Sequence, residues 1–202
     1  MIGIVNYGLG NLHAFLDCYR ILGIAATEVS DPGQVGLCSK LILPGVGSFD
    51  TAMRQLNSSG LREPLDELAR SGNLEILGVC VGLQMLFSKS SEGNEAGLGW
   101  IDGDVQRFDH SHLERVRVPH MGWNTLEISN HSGLFDQIYL DPFYFLHSYF
   151  VVPADSSSIT ATCQYGNVFA AAVQLGTVSG VQFHPEKSHQ PGLQLLKNFA
   201  SS

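Results

Sequence analysis

The chain has 202 residues, 44% of them apolar and 15% charged, and a formal net charge of −8. That length and apolar content suit a single domain spanning residues 1–202 with a substantial core, and they exclude a disordered chain. The acidic balance, with no Lys/Arg cluster, argues against a nucleic-acid partner, and no apolar run reaches the roughly 18–20 residues needed to cross a bilayer.

The opening residues Met1-Ile2-Gly3-Ile4-Val5-Asn6 lack the basic stretch and long apolar core of a secretory signal. Cys18, Cys38, Cys80 and Cys163 are scattered, with no CxxC pair. This spacing disfavours a disulfide scaffold or a zinc site. The expectation is a cytoplasmic protein with no metal and no cofactor.

Ile2–Val5 reads as a strand, followed by a glycine turn through Gly8 and Gly10 and a helix carrying Leu12, Phe15, Leu16, Tyr19 and Leu22. Lys40–Leu43 is a second buried strand, ending in Pro44-Gly45-Val46-Gly47, and a helix follows from Ser48 or Asp50. Leu61, Leu65 and Leu68 mark another helix, closed by Gly72-Asn73. Ile76–Val79 is a strand running straight into Cys80. Alternating strands and helices of this kind predict a mostly parallel open sheet flanked by helices.

The second half is richer in strands. Val116–Val118, Thr125–Ile128, Tyr144–Val151, Ile159–Tyr165, Phe169–Gln174 and Val178–Phe183 are closely spaced candidates, with Gly166-Asn167 as a hairpin turn. Antiparallel strands are therefore expected along one side of the α/β sheet. A last helix is expected to start near Pro191 and to carry Leu195, Leu196 and Phe199.

The most informative stretch is Leu77-Gly78-Val79-Cys80-Val81-Gly82-Leu83-Gln84. A buried strand ends at a cysteine framed by Gly78 and Gly82, and apolar positions at helical spacing resume at Leu83, Leu86 and Phe87. This is the nucleophile-elbow pattern with sulfur in place of oxygen. The turn presents the thiol at a helix N-terminus, where partial positive charge favours the thiolate. An isolated cysteine is more often a small buried hydrophobe, and that reading stands for the other three.

A thiol nucleophile needs a base and a group to orient it. The strand Gly180-Val181-Gln182-Phe183 ends in His184-Pro185-Glu186, which offers His184 as base and Glu186 as its orienting partner. Acyl transfer also needs donors for a developing oxyanion. The backbone N–H groups of Val81 and of Gly45, Val46 and Gly47 are candidates, although a glycine-rich turn after a strand is also an ordinary connection. His120 and Trp123 read as ordinary core or loop residues, and His147, in neither the elbow nor the base motif, as a satisfied, partly buried histidine. His110, His112 and His131 lie in polar surroundings and are expected to be solvated.

These segments together resemble the class I, triad-type glutamine amidotransferases, and within them the glutaminase subunit of imidazole glycerol phosphate synthase. The resemblance covers nearly the whole chain. Asn6-Tyr7-Gly8-Leu9-Gly10-Asn11-Leu12 is similar to the family's opening D-Y-G-x-G-N-L, and Pro44–Gly47 to its oxyanion segment. Pro119-His120-Met121-Gly122-Trp123-Asn124, Tyr144-Phe145-Leu146-His147-Ser148-Tyr149 and Phe183-His184-Pro185-Glu186-Lys187-Ser188 complete the set with the cysteine motif.

The resemblance implies that Gln84 and Glu92 contact substrate glutamine, Glu92 at the α-ammonium, and that the Ser148-Tyr149 backbone holds the α-carboxylate. It implies a glutamyl thioester on Cys80, with ammonia passed inside a heterodimer to a (β/α)₈ cyclase subunit in histidine biosynthesis, and places Lys187 near that interface. It also implies that the isolated subunit is nearly silent. Asn6 stands where the family usually has an acid, His13 where it commonly has arginine, and Ser88–Gly99 is similar to paralogues that supply a sugar amidotransferase in surface-polysaccharide pathways. Two readings remain beside these: a non-catalytic binding subunit, against which the intact Cys80, His184 and Glu186 argue, and a stand-alone thiol hydrolase, against which Gln84 and Glu92 argue.

Overall fold

A computed structural model describes residues 1–108, 117–129, 131, 133–139 and 141–202. The first half runs β1 (Ile2–Val5), α1 (Leu12–Leu22), β2 (Ala26–Val29), α2 (Pro32–Val35), β3 (Lys40–Gly45), α3 (Phe49–Ser58), α4 (Arg62–Ser71) and β4 (Glu75–Cys80). The nucleophile turn leads into α5 (Val81–Met85), then β5 (Lys89–Ser90), β6 (Gly103–Arg107), β7 (His120–Asn124) and β8 (Glu127–Ile128). The chain ends with β9 (Phe143–His147), β10 (Tyr149–Pro153), β11 (Ile159–Tyr165), β12 (Asn167–Leu175), β13 (Val178–Val181) and α6 (His189–Ser201).

The main sheet runs in the order β2-β1-β3-β4-β13-β12-β10-β6-β5. From β2 to β13 every pair is parallel, and β12, β10 and β6 then add antiparallel neighbours. The expected architecture, a parallel sheet with antiparallel strands along one side, is what forms. The central parallel strands β1, β3 and β4 are largely apolar because both faces are covered: Ile4, Leu41, Leu43, Ile76 and Leu77 are buried. Each such side chain stabilises the fold by about 2 kcal/mol.

Local rules set the helix ends. The Ser48 hydroxyl accepts the Thr51 N–H at 3.4 Å and starts α3, whose Phe49, Ala52, Met53 and Leu56 form one buried stripe. Gly23 and Gly72, at φ 68° and 65°, close α1 and α4 in the left-handed region. On the other side, α1 and α6 pack together, and the Tyr19 hydroxyl donates to the Leu196 carbonyl at 3.2 Å.

Five expectations need correction. The run Tyr144–Val151 is two strands: Ser148 breaks it, leaving β9 to pair with β7 in a separate ribbon while β10 joins the main sheet. Thr125–Ile128 shrinks to the two residues of β8, and Arg117 and Val118 form no strand, Val116 lying outside the described residues. The helix after Cys80 ends at Met85, before Leu86 and Phe87. Finally, α6 begins at His189, so Pro191 is its third residue, still in the first turn where a missing N–H costs nothing.

Candidate active site

The parallel strands β3, β4 and β13 end side by side, and in such sheets ligands bind beyond the strands' carboxyl ends. Gly45 pairs with Cys80 in parallel register, and Val79 with Val181, three residues before His184. The topology thus brings residues 45, 80 and 184 to one edge from three distant parts of the chain.

Cys80 sits at φ 57°, ψ −111°, a conformation that side chains rarely adopt. Such strain persists only where the surroundings over-determine it. Here they do: a Cβ on Gly78 would lie 2.7 Å from the Gly82 carbonyl oxygen, and one on Gly82 would overlap the Leu43 carbonyl. Both flanking glycines are needed because backbone meets backbone there. The sharp turn leaves α5 only five residues long, so its contribution is its free N–H groups rather than a large summed dipole.

His184 Nδ1 lies 2.8 Å from Glu186 Oε1, both side chains being almost wholly buried. With Nδ1 committed to the carboxylate, Nε2 is the nitrogen left for Cys80, to which His184 is also hydrogen-bonded. Burial opposes a charge on the imidazole, but the hydrogen bonds to Cys80 and Glu186 outweigh it and lift its pKa to about 9. His184 is therefore set up to hold a proton at neutral pH, beside the Cys80 sulfur. Pro185 and Ser188 brace the turn, the Ser188 hydroxyl donating to the His184 carbonyl at 2.6 Å and accepting the Tyr144 N–H at 3.0 Å.

A cleft of about 320 Å³ opens over the sulfur, and Val46, Gly47, Val81, Gln84, Glu92, Ser148, Tyr149 and His184 line it with Cys80. Gly45 and Glu186 stand behind, supporting the turn and the imidazole. Gly47, at φ 84°, completes the turn beside the elbow. Glu92 is half tied down, one carboxylate oxygen accepting the Phe49 N–H at 2.8 Å. Gln84 Nε2 donates to the Tyr149 carbonyl at 3.0 Å, which joins two of the expected substrate-holding positions.

Other residues acquire roles that no sequence pattern announced. The Tyr7 hydroxyl donates to the Pro44 carbonyl at 2.7 Å and so pins the strand that enters the Gly45–Gly47 turn. His147 Nδ1 is 2.8 Å from the Tyr149 carbonyl, and His147 Nε2 is 3.0 Å from His120 Nδ1. A carbonyl only accepts, so His147 donates from Nδ1, and His120 donates to His147. Burial pushes His147 down to about 3 and His120 to about 4. Both are neutral and buried: His120 takes the core side of its core-or-loop reading, and His147 is hydrogen-bonded as expected but more fully buried. His131 is exposed, as expected, with its ring stacked on Tyr139 and its Nδ1 2.6 Å from the Ile138 carbonyl oxygen. His110 and His112 lie outside the described residues. Among the described residues no cluster of His, Cys, Asp or Glu could hold a metal ion.

Around the cleft mouth, Met121, Trp123, Leu146 and Val46 are exposed. Trp123 stacks on His189 with ring centroids 5.1 Å apart, and the Lys187 ammonium stands 5.9 Å from the Tyr144 ring centroid at the same rim.

A cysteine on a strained elbow, with a buried His–Glu pair beside it at the edge of a helix-flanked sheet, has the geometry of a thiol nucleophile with a base and its orienting group. The family model for class I glutamine amidotransferases matches residues 24–202, and the chain belongs to that family. Among curated relatives it is 46% identical to imidazole glycerol phosphate synthase subunit HisH of Bdellovibrio bacteriovorus, over 99% of both chains. It is 43% identical to the protein of the same name from Leptospira interrogans, over the full length of each. Solved structures agree on the fold: a glutamine amidotransferase superposes with a TM-score of 0.75 at 20% identity, covering 98% of both chains. PurLQS from Thermotoga maritima gives 0.75 at 17% identity, covering 99% of this chain and 97% of that one.

Proposed function

We propose that this protein, as one glutamine amidotransferase domain, is the glutaminase subunit of a cytoplasmic imidazole glycerol phosphate synthase and feeds ammonia to a (β/α)₈ cyclase subunit. Glutaminase chemistry follows from its family, and the synthase from full-length relatives all named HisH. The observation that carries the residue assignment is the strained Cys80 beside the buried His184–Glu186 pair. Among the described residues no helix is long and apolar enough to cross a membrane.

In this reading glutamine lies in the cleft with its α-ammonium at Glu92 and its α-carboxylate at the Ser148-Tyr149 backbone. The Cys80 thiolate attacks the side-chain carbonyl carbon, and N–H groups of Val81 and the Gly45–Gly47 turn stabilise the oxyanion. His184, already an imidazolium, gives its proton to the departing nitrogen. The C–N bond breaks, ammonia leaves, and a glutamyl thioester remains. Water, deprotonated by the now neutral His184, then releases glutamate and restores the thiol.

The apolar rim of Met121, Trp123, Leu146 and Val46 suits a partner seated over the mouth, since sequestration keeps ammonia from protonation to the non-nucleophilic ammonium ion. The test is to mix the chain with a cyclase-type barrel subunit and its aminoimidazole ribonucleotide substrate and follow glutamate release. Strong stimulation, lost in Cys80→Ala, is the expected result. No stimulation, with the chain folded and the cyclase active on ammonia, would overturn the acceptor assignment in favour of a sugar amidotransferase partner.

A further inference from the structure

Gln182 lies between the end of β13 and His184, and its side chain is fully buried. It is neither part of the Cys–His–Glu arrangement nor a lining residue of the cleft. Its backbone is fixed by an N–H donated to the Ala171 carbonyl at 2.8 Å. Its carboxamide nitrogen lies 3.8 Å from Cys80 Sγ, within hydrogen-bonding reach of a sulfur acceptor, and its carboxamide oxygen accepts from Gln84 Nε2 at 3.1 Å.

An amide can flip, but this one is locked. The Tyr149 carbonyl can only accept, so the Gln84 amide must turn its nitrogen toward it. The same nitrogen faces Gln182, which obliges Gln182 to present oxygen to Gln84 and nitrogen to the sulfur. The other polar neighbours of the sulfur complete the logic. The Leu146 carbonyl, 3.8 Å away, can serve only a protonated thiol. Once the proton has moved to His184, the Leu146 carbonyl has nothing to accept, and the Gln182 N–H is the donor facing the thiolate from inside the protein.

We propose that Gln182 is a catalytic residue whose side-chain N–H donates to the Cys80 thiolate. It acts twice. Before attack it holds the thiolate formed when the Cys80 proton passes to His184, and after water adds to the thioester it stabilises the sulfur as the C–S bond breaks and that electron pair returns to it. Gln182 itself gains and loses no proton in either step. The inference deepens the glutaminase reading of the same site and rests on it for the second step.

The experiment measures the pH dependence of Cys80 alkylation by iodoacetamide, located by peptide mass mapping, in the full chain carrying Gln182→Met or Gln182→Glu. Alkylation requires neither glutamine nor a partner. Losing a hydrogen bond to a charged group should move the acidic limb of the Gln182→Met profile up by about one pH unit, a tenfold slower reaction on that limb. Gln182→Glu, nearly isosteric but with a carboxylate against the thiolate, should react more slowly still. Should neither variant fold, Gln84→Met releases the lock on the Gln182 amide and should shift the limb in the same direction. A folded variant whose alkylation limb stays where the wild type has it overturns the proposal and leaves Gln182 a packing residue. A shifted limb in a protein that releases no glutamate from glutamine even with a cyclase-type partner and its substrate present would keep the Gln182–thiolate contact but overturn the second step together with the glutaminase reading.

Discussion

His184 and His147 are both buried, yet they hold opposite charge states. His184 is lifted to about 9, whereas His147 is pushed down to about 3 and its partner His120 to about 4. Burial acts the same way on all three, against the charge. The difference lies in the partners: a carboxylate and a thiol at the sheet edge, against a backbone carbonyl and a second imidazole at the β7–β9 ribbon. Chemistry resides where burial is opposed by a counter-charge, and the ribbon, left to neutral hydrogen bonds, serves as scaffold.

Removing the nucleophile is the strongest way to test that division. Cys80→Ala should cut glutamine-driven turnover by on the order of a thousandfold or more, while ammonia-driven turnover of the complex survives. Persistent glutamine hydrolysis by that variant would remove Cys80 from the mechanism. Glu186→Gln keeps the shape and deletes the counter-charge, so His184 should titrate closer to its ordinary value. A loss of about 10²- to 10⁴-fold in kcat is expected, and a change in KM alone would contradict it.

Stability against pH separates the two histidine environments by sign. The raised His184 contributes stability that is complete below about 6.5 and lost as pH climbs through about 9. The depressed His147 and His120 contribute stability present above about 6.5 and lost as pH falls toward their values near 3 and 4. Denaturant midpoints across this range should fall on both sides. Glu186→Gln should flatten the alkaline side and His120→Phe the acid side; crossed effects would show that the two environments had been confused.

The smallest predicted effect concerns the rim. Trp123→Ala should leave Tm within a few degrees of wild type and weaken partner binding about tenfold, read by titration calorimetry. Unchanged affinity would remove Trp123 from the docking face.

Legibility in the sequence divides along the same line. The strands at Ile2–Val5 and Ile159–Tyr165 form over those residues, the first as a buried apolar run and the second as an alternating strand that buries Ala161 and Cys163. The glycine-framed cysteine was equally readable, since its glycines answer to backbone contacts that nothing larger fits. By contrast, β2 and β6 were missed: Ala26–Val29 buries only Val29, and Gly103–Arg107 buries only Val105, so neither carries a periodic apolar signal. The break at Ser148 was invisible because Tyr144–Val151 is apolar on both sides of it. Gln182 and Tyr7 were silent as well, because their partners lie 102 and 37 residues away and no local pattern announces such contacts.

The most direct test of the central claim is to treat the chain with an electrophilic glutamine analogue that carries a reactive group at the side-chain carbonyl, then map the adduct by mass spectrometry. The account predicts one adduct, on Cys80, that excess glutamine suppresses and Glu186→Gln slows. Labelling of Cys18, Cys38 or Cys163 instead, or labelling indifferent to glutamine, would contradict it.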